Sequence, residues 1–200
     1  MKGKIISERR FEMRKIIMAF LTIFSFSFAF DNTLVGKEFR DFTSIDETGK
    51  VVKASQVIDH KPAVIIFFAI GDQPGTFKFL PHMNELYDKY KDKVVFMAVL
   101  LSRSDKKEVQ ELKKMLPLKI PVYLGYKDAI DNYNIRKVDV PLIILVDKDG
   151  LITNIVARPE SEMEEVYPFE KDLQKKETIE ERTAQSIKLL DKYIQKLIQE

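Results

Sequence analysis

The chain has 200 residues, 45% hydrophobic and 32% charged, a balance that suits a folded globular protein and excludes a disordered one. Cysteine and tryptophan are absent, which excludes disulfides, thiolate nucleophiles, cysteine-ligated zinc and a lipoprotein cysteine. Residues 1–29 hold six Lys/Arg against two Asp/Glu, so without them the formal charge falls from +2 to −2, and nucleic-acid binding, which needs a clustered basic face, has no support.

Residues 1–29 read as a signal peptide. Lys2, Lys4, Arg9, Arg10, Arg14 and Lys15 form a positive region, and Ile16–Phe28 is apolar apart from Thr22, Ser25 and Ser27. Ser27-Phe28-Ala29 places small residues where a signal peptidase cuts. The apolar run is shorter than the ~20 residues that span a bilayer, so the mature chain is expected to lack a membrane span and to be periplasmic or extracellular. An uncleaved anchor is the alternative, and Met13 is an alternative start.

Residues 30–157 are expected to form the main domain. Phe39–Thr43 and Val51–Ile58 flank the turn-rich Asp46-Glu47-Thr48-Gly49-Lys50, which suggests a loose hairpin. Lys61-Pro62 introduces Ala63–Ala69, a continuous apolar run rich in β-branched and aromatic residues, as expected of a strand buried on both faces. The loop Gly71–Thr76 follows, then a helix to about Lys91 in which Pro81 either kinks the helix or marks its start. Val94–Leu101 is a second buried strand. Ser104 can cap a helix with Val109, Leu112, Met115 and Leu116 at core-facing spacing. Ile120–Leu124 is extended and Asp128–Tyr133 helical.

The run Leu142–Val146, the turn Asp147-Lys148-Asp149-Gly150 and a second apolar segment from Leu151 predict a hairpin with Pro141 at its mouth, where a missing N–H does no harm. Residues 158–177 form a charged excursion. Residues 178–200 begin with a capping-box pattern, Thr178-Ile179-Glu180-Glu181. Ile179, Thr183, Ile187, Leu190, Ile194 and Leu197 then make one stripe, expected to pack on the domain, with a partner helix or a membrane surface as alternatives. Strand–helix–strand units closed by a hairpin predict an α/β fold with parallel pairs, and a ligand crevice at the carboxyl ends of those strands, near Gly71–Thr76.

An ordered set of segments carries a family resemblance: Gly36-Lys37-x-Phe39-x-Asp41-Phe42-Thr43, Gly49-Lys50-x-Val52, Lys61-Pro62-x-Val64 through Ala69, Pro81-x-Met83-Asn84-Glu85-Leu86-Tyr87, Tyr133-x-Ile135, Val140-Pro141 and Ile144 through Ile152. Over about Val35–Val156 the chain resembles the thioredoxin-like fold, in particular its secreted thiol-disulfide oxidoreductase and redoxin branch, related to alkyl hydroperoxide reductases. The resemblance implies a three-layer α/β/α domain with a mixed central sheet, an N-terminal β extension and a long C-terminal helix. It also implies a cis Val140–Pro141 bond in a loop that faces the redox motif and binds extended peptide through its backbone.

The departure is at that motif. Counting from the Phe-Phe-Ala strand puts Asp72 and Gly75 at the family's two cysteine positions, and counting back from Pro81 puts Gln73 and Thr76 there. Thiol exchange requires a thiolate, so a redox-inactive module is expected. Its groove, formed by Asp72, Gln73, Gly75, Thr76, Val140 and Pro141, would hold an envelope protein or an extended peptide, as a folding or assembly helper would. No cofactor or metal is expected, because His60 and His82 lie on separate elements and the Cys pair of copper-handling relatives is missing. Asp72 reads first as a helix cap and only then as a catalytic group, Gln73–Thr76 first as a plain turn and then as an anion cradle, and Asp147/Asp149 as ordinary turn residues. Two alternatives stand: an enzyme using Asp72 or His82 as acid or base, and a structural subunit that binds through its C-terminal helix.

Overall fold

The structure is a computed structural model that describes residues 32–69, 79–101, 106–125, 127–136, 139–157 and 179–199. Seven strands form one sheet: β1 (Thr43–Ile45), β2 (Val51–Lys53), β3 (Ala63–Phe68), β4 (Val95–Leu100), β5 (Val122–Gly125), β6 (Leu142–Val146) and β7 (Ile152–Ala157), in the order β2-β1-β5-β4-β3-β6-β7. β3–β4 and β4–β5 are parallel and the other pairs antiparallel, so the sheet is mixed. β3 lies inside the sheet between β4 and β6, and all six of its residues are buried. Its Val-Ile-Ile-Phe-Phe run, with no polar face, suits a strand covered on both sides.

Side chains alternate across β3 and build two cores. Val64, Ile66 and Phe68 join Phe96, Ala98 and Leu100 of β4 and Ile143 and Leu145 of β6. That face is covered by α2 (Met83–Tyr90), α3 (Lys106–Met115) and α5 (Ile179–Gln199), which contribute Met83, Leu86, Val109, Leu112, Leu190, Ile194 and Leu197. On the other face Phe67 meets Phe42 and Tyr133, with ring centroids 5.4 and 5.5 Å away. Here α1 (Ala54–Ile58) and α4 (Lys127–Tyr133) form the cover, burying Ala54, Ile58, Ala129 and Tyr133. The layers are therefore α/β/α, with a long C-terminal helix, as the resemblance implies.

The stripe expected on the last helix is used inside the domain: Thr183, Leu190, Ile194 and Leu197 are buried and Ile187 is half-buried. Burial of each large apolar side chain contributes about 1.5–3 kcal/mol. The exposed ion pair between Lys89 and Asp191 on the same interface contributes at most ~1 kcal/mol, so apolar burial decides the docking of α5. Among the described residues no helix is long and apolar enough to cross a membrane.

The N-terminal segment differs from the expected hairpin. β1 and β2 pair as a short hairpin about Gly49, which sits at φ +92°, but Ala54–Ile58 is helical rather than extended. The cause is partly local, the Lys53 N–H donating to Gln56 Oε1 at 3.2 Å, and partly tertiary. Asp41 accepts from the Ser55 backbone N–H and hydroxyl, both at 2.9 Å, satisfying a donor that the first turn leaves open. Asp59 and His60 then take left-handed backbone, φ 47° and 57°, and end the helix. Residues 36–39 run along the start of β7: Phe39 N–H donates to the Gly150 carbonyl at 2.7 Å, and Ile152 N–H to the Lys37 carbonyl at 2.9 Å. This is the N-terminal β extension. Pro81 lies in a 3-10 turn, Leu80–His82, that leads directly into α2. Ser104 lies outside the described residues.

Candidate functional site

The parallel strands β3, β4 and β5 point their carboxyl ends to one end of the sheet, where ligands of open α/β sheets bind. β6 runs against β3, with Leu142 opposite Phe67. That register brings Val140 and Pro141, the residues before β6, to the same end, beside the exit of β3. The hairpin at the far end of β6 turns at Gly150, φ +82°, with Asp147 Oδ1 accepting from the N–H groups of Asp149 and Leu151 at 3.0 and 2.8 Å. Asp147 is thus a turn builder, as its sequence context suggests.

The Val140–Pro141 peptide is cis and both residues are buried, Val140 at 2% exposure. Among the described residues neither the N–H nor the C=O of Val140 forms a hydrogen bond. Buried main-chain groups are almost always paired, so a buried residue whose two groups meet no partner among the described residues is an unusual feature, and it lies at the crevice end. Asp72, Gln73, Gly75 and Thr76, the other groove candidates, lie outside the described residues. The structure therefore brings Val140 and Pro141 together and leaves the other four unplaced.

The support behind this shoulder was not legible in the sequence. α4 is stitched to the N-terminal extension. Asp128 Oδ2 accepts from Thr43 N–H at 2.8 Å, Asn132 Nδ2 donates to the Asp41 carbonyl at 2.7 Å, and the Tyr133 hydroxyl accepts from Arg40 N–H at 3.0 Å and donates to the Arg40 carbonyl at 2.8 Å. Burial pushes the Tyr133 phenol well above its ordinary pKa of 10, so it stays neutral and serves as a structural donor and acceptor. Beyond α4, Asn134 turns the chain with φ +48°, and Arg136 pairs with buried Asp139. The hydrogen bonds to the Asp139 carboxylate, and its nearby charge, raise the Arg136 guanidinium pKa further.

Neither histidine joins the shoulder. His60 is exposed at the end of α1, in a cleft of about 430 Å³ that it lines with Asp59 and the 146–150 turn, at the opposite end of β6. His82 is exposed in the 3-10 turn before α2 and lines an open cleft of about 440 Å³ with Glu85, Lys89, Lys188 and Asp191. Among the described residues no cluster of His, Asp and Glu could hold a metal ion. Phe67 and Phe68 are fully buried core residues.

Residues 35–155 match the model of the AhpC/TSA family. The chain is 32% identical over 136 residues to thiol-disulfide oxidoreductase ResA of Bacillus cereus, covering 66% of this chain and 76% of that protein. The solution structure of a thiol:disulfide interchange protein from Bacteroides sp. is similar with a TM-score of 0.57 at 19% identity, covering 83% of this chain and 91% of that one. Peroxidoxin BcpB from Mycobacterium tuberculosis is similar with a TM-score of 0.54 at 12% identity, covering 78% and 95%. At such identities the two structures speak for the fold alone, which is thioredoxin-like.

Proposed function

The chain belongs to the AhpC/TSA family, and on that footing we propose that it is an exported, redox-inactive thioredoxin-like module that binds extended protein or peptide segments as a folding or assembly helper. Its relatives carry names of thiol-disulfide oxidoreductases. This chain has no cysteine anywhere, and exchange proceeds only through attack by a thiolate. What the fold keeps without thiols is a place to hold a chain. The observation that carries the reading is Val140: buried, at the crevice end of the sheet, with a donor and an acceptor that no described residue satisfies. An extended peptide laid across it would satisfy both groups, as an added strand does at a sheet edge.

Export rests on the leader pattern of residues 1–29. Asp72, Gln73, Gly75 and Thr76 would form the opposite wall, since they sit between β3 and α2 in the chain. The reading in which α5 recruits a partner helix is disfavoured by the burial of its stripe against the sheet. The test is crosslinking capture of partners from the cell envelope, with native protein and Pro141→Ala side by side. Capture that drops in the variant supports the groove; equal capture by both removes it.

A further inference from the structure

The connection from α4 to β6 contains an ion pair with an unusual closure. The Asp139 side chain is 6% exposed, and its carboxylate accepts three hydrogen bonds from Arg136. The Arg136 main-chain N–H and Nε reach Oδ2 at 2.9 Å each, and Nη2 reaches Oδ1 at 2.8 Å. The Asp139 N–H returns a bond to the Arg136 carbonyl at 2.9 Å. Four bonds therefore join Arg136 to Asp139, and the next residue is Val140. Forked, charge-assisted bonds of this kind fix geometry as well as attraction, and only arginine has the planar fork. The Arg136 side chain is 44% exposed, so the pair sits at the surface with its carboxylate turned inward. No core packing depends on the guanidinium, yet removing it strands a buried carboxylate.

We propose that Arg136 and Asp139 are positioning residues that lock the backbone of Val140, so that its N–H and C=O, which no described residue satisfies, are held in register for an incoming extended segment. The proposal rests on the groove reading above and adds its control element. The lock acts through geometry: it touches neither the segment nor the strand, and it sets the direction from which Val140 enters β6. On either side the chain is already fixed, by the left-handed turn at Asn134 and by the pairing of Leu142 with Phe67. The lock falls in the stretch between those two anchors.

The experiment uses the full protein and two readouts. The first is fluorescence anisotropy with fluorescein-labelled, reduced and carboxymethylated α-lactalbumin, a permanently unfolded probe. The second is amide hydrogen exchange at Asp139, whose N–H is bonded to the Arg136 carbonyl. Arg136→Ala is expected to weaken probe binding about tenfold, the effect of losing hydrogen bonds to a charged group, and to speed exchange at Asp139. Arg136→Lys keeps the charge but not the fork and is expected to fall between the two. A merely structural role would lower thermal stability in both variants without separating them in binding. Native-like binding by Arg136→Ala overturns the lock. If native protein fails to bind the probe, the groove reading falls, and unchanged exchange at Asp139 in Arg136→Ala then overturns the lock separately. Should Arg136→Ala not fold, Arg136→Gln and Arg136→Lys carry the same comparison.

Discussion

Tyr133 shows how much one side chain does for the shoulder. Its ring packs between Phe42, Phe67 and Phe39, and its hydroxyl ties both backbone groups of Arg40. Tyr133→Phe keeps the packing and loses two hydrogen bonds. Because Arg40 is exposed, water can take up its open groups, so the expected cost is about 1 kcal/mol, a fall in Tm of roughly 2–4 °C for a domain of this size. The phenol also has a pH signature. Its folded pKa lies above the ordinary value of 10, so its contribution is complete below pH 10 and is lost as pH rises beyond it. Thermal melts from pH 8 to 11 should show an alkaline loss of stability that is smaller in Tyr133→Phe; an identical alkaline slope in both proteins would contradict this. The sequence shows Tyr133 as the end of a helix. The bond to Arg40 was not legible, because the two residues are far apart in the chain and nothing local marks the pair.

Elements divide in the same way. β3, β4 and β6 could be placed from sequence because their apolar runs are unambiguous. α1 could not, because the β-branched pairs Val51-Val52 and Val57-Ile58 precede and close it, and part of its start is held by Asp41, a residue from outside the segment. α5 was legible as an amphipathic stripe, but its polar attachment was not. Asp191 accepts from Lys89 Nζ at 2.7 Å, the Tyr90 hydroxyl at 2.6 Å and Gln195 at 2.9 Å. Burial pushes the Asp191 carboxyl up, but these bonds outweigh it and hold the group below its ordinary 3.8. Its contribution is therefore present above pH ~4 and lost as pH falls through the depressed value. Asp191→Ala is expected to cost about 1–2 kcal/mol in urea unfolding at pH 7, mostly from stranding the Tyr90 hydroxyl, with the difference shrinking toward pH 3. A constant difference down to pH 3 would contradict the assignment. β5 offers a steric check. A Cβ on Gly125 would meet Val99 Cγ1 at 2.9 Å and Leu101 Cδ2 at 3.1 Å, so Gly125→Ala should destabilise by about 1–3 kcal/mol, measured by the same unfolding curves; a neutral substitution would show that these side chains yield freely.

At the scale of the whole molecule, composition and topology point the same way. The fold class could be argued from strand–helix alternation, and the family from the order of its segments, because both depend on long-range pattern. The crevice could be placed only by strand direction. Its Val140 side is followed directly by the well-paired strand β6, and residues 70–78 lie outside the described residues. The absence of cysteine separates this chain from the chemistry its relatives are named for. An insulin-reduction assay with dithiothreitol should therefore run at the uncatalysed rate; catalysed precipitation would show chemistry that no side chain here accounts for. That assay tests what the protein lacks, whereas the central claim is that it binds. Calorimetric titration of the full protein with an unfolded, cysteine-free polypeptide tests that claim most directly. The account predicts saturable binding of equal affinity with and without dithiothreitol, and an absence of binding, or an affinity that shifts when dithiothreitol is added, would contradict it.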